Sequence, residues 1–113
     1  MKNSKKLKNK TVLLIDSSDN KQIVVGLKID NNKYFLKHKA DSRKAQVILP
    51  LTQEILRKHK IGIGDISSIE VNTGPGSFTG LRVGISIANT LGFILKVPIN
   101  NKKVGDLVEP SYK

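Results

Sequence analysis

VNTGPGSFTGLRVG, from Val71 to Gly84, stands between a short β-like run and the longest apolar segment of the chain. That position makes it a strand-to-helix turn, whose tight backbone calls for glycine. Gly74, Gly76 and Gly80, with Pro75 between the first two, permit positive φ and close backbone approach. Ser77 or Thr79 supplies an N-cap for the helix that follows. A helix N-terminus on such a turn is also a candidate anion site, and Asp16, Ser17, Gly74, Gly76 and Ser77 are the residues that would form it.

Downstream of the turn, Ser77 to about Lys96 is apolar nearly all round, interrupted by Arg82, Ser86, Asn89 and Thr90. Arg82, Asn89 and the short uninterrupted apolar runs argue against a membrane span. A helix without a polar face in a small domain needs cover from outside that domain. Gly80, Gly84, Ala88 and Gly92 recur every fourth residue, a small-residue stripe that lets another helix approach closely. The same stripe fits close packing against the chain's own sheet or first helix, so the pattern leaves both open.

Upstream, Ile66 to Asn72 reads as the strand that delivers the chain to the turn, and Gly62 and Gly64 end the segment before it. Ser42 is a candidate N-cap for a helix to about Lys58, with Ala45, Ile48, Leu49, Thr52, Ile55 and Leu56 at three- and four-residue spacing. Val47 and Leu51 widen that stripe toward a second packed surface, and Pro50 kinks this helix or marks the start of a shorter one. Thr11 to Asp16 is a continuous apolar run, a central strand. Ile23, Val25, Leu27 and Ile29 alternate as a half-buried strand does, and Asp30 to Asn32 turns the chain into Lys33 to Lys39, a lysine-studded edge strand. Val97 to about Lys103 reads as a weak fifth strand, and Gly105 to Lys113 has too little apolar content for another element.

One domain fits 113 residues. The expected division is a basic tail at 1–10, one lobe at 11–104 and a C-terminal tail at 105–113. Without cysteine there is no disulfide, thiolate metal site or thiol nucleophile. Net charge is +11, and five of the first ten residues are lysine. That invites a nucleic-acid reading of the tail through phosphate neutralisation, set against a solvated extension. No apolar core follows those lysines as in a secretory signal, so a cytoplasmic protein is expected.

GPGSFTG is not a Walker phosphate loop, since no Gly-Lys-Ser/Thr follows, and it lacks the nucleophile elbow that would make Ser77 a nucleophile. Asp16 could hold a metal-bound phosphate at the end of the first strand. Turn chemistry with Ser17 and Ser18 is the plainer reading, because no second acidic residue has a claim to the site. His38 and His59 share no ligand spacing and read as surface residues.

ILPLTQEIL (Ile48 to Leu56), VNTGPGSFTGLRVGISIANTLG (Val71 to Gly92) and VPI (Val97 to Ile99), with LLIDSS (Leu13 to Ser18), resemble the bacterial TsaB family, also called YeaZ. These glycoprotease-like proteins are needed to make threonylcarbamoyladenosine on transfer RNA. The resemblance implies an α/β, actin-like, ribonuclease-H-like lobe: a five-stranded mixed sheet of order 3-2-1-4-5 with two main helices, which right-handed crossovers also favour. The family's second lobe would be absent. Members resemble the catalytic paralogue TsaD without its metal ligands, and serve as its dimerisation partner, with the ATPase TsaE joining.

The expected role is therefore a non-catalytic scaffold for a TsaD-like subunit, with a TsaE-like ATPase, a homodimer and weak transfer RNA contact through the lysine tail as further partners. Val47, Leu51, Ile55, Phe78, Gly80, Leu81, Gly84 and Ala88 are the expected interface. No catalytic residue, metal or cofactor is assigned to the chain alone; ATP and a metal ion would belong to the complex. The alternatives are a phosphate-binding ATPase or peptidase of the same superfold, or an inactive fragment.

Overall fold

Alternating apolar residues build the sheet. The computed structural model describes residues 10–40 and 43–111; residues 1–9 of the basic tail and the candidate cap Ser42 lie outside them. Three antiparallel strands form a meander: β1 (Thr11–Asp16), β2 (Gln22–Ile29) and β3 (Asn32–Lys39). Asp30, at φ 55°, takes the left-handed position of the tight turn between β2 and β3. α1 (Lys44–Lys58) then crosses over the sheet, and a single 3-10 turn at Ile63–Asp65 leads to β4 (Ser68–Val71), which pairs parallel with β1. After the glycine turn comes α2 (Phe78–Leu95). The helix α1 continues through Pro50 without a break.

The sheet order is β3-β2-β1-β4. This corrects the expected fifth strand, which is reduced to one parallel bridge between Ile69 and Ile99. The cause lies in Asn100 and Asn101, which sit at φ 51° and 63° and bend the chain out of the extended conformation. Asn100 then replaces backbone with side chain. Its amide accepts from Val71 N (2.8 Å) and donates to Val71 O (3.0 Å), finishing the ladder that a strand would have made.

α1 lies over β2 and β3, α2 lies over β4 and β1, and the two helices touch. One core joins them to one face of the sheet: Leu13, Ile15, Val25 and Ile69 from the strands meet Ile48, Ile55, Leu81 and Ile85 from the helices. Each such side chain, fully buried, contributes roughly 1.5–3 kcal/mol. The other face of the sheet carries no helix among the described residues. By length and composition α2 could cross a membrane, and in this fold a third of it is buried. Residues 102–111 form no helix or strand, yet they are fixed: Val108 enters the core and exchanges two 3.0 Å hydrogen bonds with the Asn89 side chain, while Ser111 N donates to Thr73 O (2.7 Å).

Candidate functional site

Two turns interlock where β1 and β4 end. Asn72 N donates to Ile15 O (3.0 Å), which holds the β4 exit beside the β1 exit. The Asp16 carboxylate accepts from Ser18 N (2.9 Å), Ser18 Oγ (2.6 Å) and Asn72 Nδ2 (3.2 Å), all on Oδ1. In the glycine turn Gly74 has φ 121° and precedes a cis Pro75. A side chain at Gly76 would meet Ser18 Cβ at 2.6 Å and Ser18 O at 2.7 Å, so only glycine lets the two turns lie this close. Ser77 caps α2, its hydroxyl accepting from Gly80 N at 3.3 Å.

This arrangement bears on the expected anion site. Gly74 N is given to Asn72 Oδ1 (2.9 Å), Ser77 N to Ser18 O (2.7 Å) and Gly80 N to Ser77 Oγ. These amides are committed to protein acceptors. The Ser17 hydroxyl is fully buried and donates to Gly80 O at 2.6 Å. The structure brings together all five residues named for the turn in one hydrogen-bonded joint, and adds Asn72 and Ser18 to them. Nothing in their spacing along the chain signalled Asn72, which lies 56 residues from its partner Asp16. Among the described residues no group of three or more His, Cys, Asp or Glu is placed to hold a metal ion. His59 is half-buried rather than a surface residue, its ring centroid 4.3 Å from that of Tyr34.

The small-residue stripe faces inward. A side chain at Gly84 would run into Ser17 Oγ, one at Gly80 into Ser17 O and Lys44 Cε, and one at Gly92 into Ile99 Cδ1. Ala88 and Leu81 are fully buried, Leu51 and Ile55 lie in the core, and Val47 is half-buried against it. Placing Leu51, Ile55, Gly80, Leu81, Gly84 and Ala88 on an outward interface is therefore corrected: they pack α1 and α2 onto their own sheet. Phe78 alone of the expected set is well exposed, at 55%, with the Arg82 guanidinium 5.4 Å from its ring centroid.

The outward face of α2 is a different set. Phe78, Arg82, Val83, Ser86 and Ile87 line, with Ala45 of α1, a groove of about 530 Å³. Further along, Phe93 is 77% exposed and Ile94 63%. The signal for this face was present in the sequence: a helix apolar all round must show apolar residues opposite whichever stripe is buried.

Comparison with known proteins matches this architecture. The family model described as TsaD, tRNA N6-adenosine threonylcarbamoyltransferase, matches residues 35–101. The chain is 33% identical over 93 residues to the tRNA threonylcarbamoyladenosine biosynthesis protein TsaB of Haemophilus influenzae, covering 82% of this chain and 39% of that one. Against TsaB of Buchnera aphidicola from Baizongia pistaciae it is 30% identical over 89 residues, 79% of this chain and 40% of that one. Among solved structures, YeaZ from Pseudomonas aeruginosa superposes with a TM-score of 0.76 at 26% identity, over 83% of this chain and 44% of that one. The chain thus spans about two fifths of the length of these relatives. Over that part of their length, and sharing its matched segment with the TsaD model, the chain belongs to the TsaB (YeaZ) family.

Proposed function

We propose that this chain is a non-catalytic subunit in the formation of threonylcarbamoyladenosine on transfer RNA, and that it binds a TsaD-like protein through the outward face of α2 and its groove with α1. The observation that carries this reading is the exposure of Phe78, Phe93 and Ile94 along a helix that is one-third buried. A helix so apolar on its free side gains from a partner of the same kind. The relatives' names supply the pathway, and the interlocked turns support a structural role for Asp16, whose Oδ1 is occupied by Ser18 and Asn72.

Co-purification of the full chain with a TsaD-like protein tests the reading. Ser86→Arg would fill the groove and Phe93→Glu would place a charge in the contact, each at an exposed position that leaves the core intact. Both variants should reduce complex recovery at least tenfold while melting within a few degrees of the native chain. Retention of the complex by both would overturn the assignment of this face. ATP turnover by the isolated chain, abolished in Asp16→Ala, would overturn the non-catalytic role.

A further inference from the structure

The sheet face turned away from the helices has a chemistry of its own. Strand register puts Lys28 directly opposite Lys33, Gly26 opposite Phe35, Val24 opposite Lys37 and Gln22 opposite Lys39, and parity sets these pairs on the open face beside Leu14. Neither β2 nor β3 contains an acidic residue. Like charges facing one another across strands are destabilising, so the Lys28/Lys33 pair is not explained by the stability of the sheet. Lysine on β3 alone would be ordinary protection of an edge strand. Lys28 belongs to the interior strand β2, and an aromatic ring half in water does not protect an edge.

Phe35 is 50% exposed and lies over Gly26, where an added Cβ would be 2.7 Å from the ring. The missing side chain lets the ring rest on β2 with the rest of its surface to solvent. At its foot Leu14, Val24 and Gly26 floor an open groove of about 500 Å³, bounded on the far side by Glu70, Asn100 and Asn101. That volume is within the range of small-ligand sites. The lysines run along β2 and β3, and the carboxylates stand toward β4 at Asp16 and Glu70 and at the ends of the row, where Asp30 and Glu70 share a groove with Lys28 and Asp19 shares one with Lys39. A purely apolar polypeptide cover would have to bury four ammonium groups for a contact floor of three aliphatic side chains, Val12, Leu14 and Val24, and one ring.

We propose that this open face binds single-stranded RNA, with backbone phosphates along Lys28, Lys33, Lys37 and Lys39 and an unpaired base stacked on Phe35. Successive open-face residues of β3 stand about 6.8 Å apart, two strand steps, a stride that an extended nucleotide chain can follow. An open sheet bearing an aromatic platform suits unstacked bases, and the lysines supply sequence-independent affinity. The choice of RNA as the polyanion rests on the function proposed above. The surface itself does not.

Anisotropy of a labelled 15-nucleotide oligouridylate, titrated with the full chain at several salt concentrations, tests this. Phe35→Leu keeps Gly26 covered and removes the π-face; it should weaken binding by roughly five- to tenfold, in line with the loss of a stacked base, without altering the salt dependence. Lys33→Gln with Lys37→Gln should lower the slope of log K against log salt by about 1.4, since each single-strand phosphate contact contributes about 0.7. Native-like affinity and slope in both variants would overturn the proposal and leave any binding to the lysine-rich N-terminal segment. Equally contrary would be variants that keep the oligonucleotide and lose a TsaD-like protein, which would make this a protein interface. Failure here leaves co-purification through α2 standing, and failure of that complex leaves RNA binding by the isolated chain intact.

Discussion

Ser17 joins the sheet to α2 through one hydroxyl, and Gly84 is the residue that makes room for it. Gly84→Ala would gain roughly 1 kcal/mol of helix propensity. It would also force a methyl against Ser17 Oγ, with Ile15 Cγ2 only 3.5 Å behind, and overpacking of this kind costs about 1–3 kcal/mol. Net destabilisation of up to about 2 kcal/mol is expected, read as a lower urea midpoint. Because the clash is with one side chain, Ser17→Gly should restore part of that loss when combined with Gly84→Ala. Strict additivity of the two substitutions would show that the methyl is accommodated elsewhere. A leucine at Gly84 has no such relief and should unfold the domain.

At the scale of elements, the two asparagines that follow Ile99 and the one in α2 do the work of absent secondary structure. Asn100→Ala strips the partners from both main-chain groups of Val71, and a part-buried pair left unsatisfied costs roughly 1–3 kcal/mol. Faster hydrogen exchange at the Val71 amide, with little change at Leu13, is the expected signature. Asn89→Ala should free residues 102–111, seen as new protease cleavage there while α2 remains intact. The meander was legible in the chain because period-2 alternation in Ile23 to Ile29 responds only to neighbouring strands and one buried face. The glycine turn was legible because φ of 121° at Gly74 and the close approach at Gly76 admit few other residues. The stripe's direction was not: four-residue spacing of small side chains describes a close contact without naming the other party, and Ser17 lies 67 residues away from Gly84 in the chain. Nor was the lost fifth strand, since an asparagine side chain standing in for backbone has no periodicity.

The whole molecule has two faces without cover among its described residues, and they differ in chemistry. The α2 face is apolar and, without a partner, should draw two copies together as a symmetric dimer. Sedimentation velocity should show a mass that rises with concentration and falls to the monomer in Ser86→Arg; a mass independent of concentration in the native chain would remove the dimer. The open sheet face is basic and should respond to salt instead. Asn100 has one more effect at this scale. A strand added beside β4 would present a fresh row of donors and acceptors, a template on which other chains could assemble into cross-β fibrils. At Val71 the ladder closes instead on a side-chain amide, which satisfies the last main-chain pair and has no row of its own to extend. With the backbone of Pro98 and Asn100 already paired to Ile69, that side chain closes the end of β4 without the charge or proline that ordinarily keeps an edge from seeding aggregation.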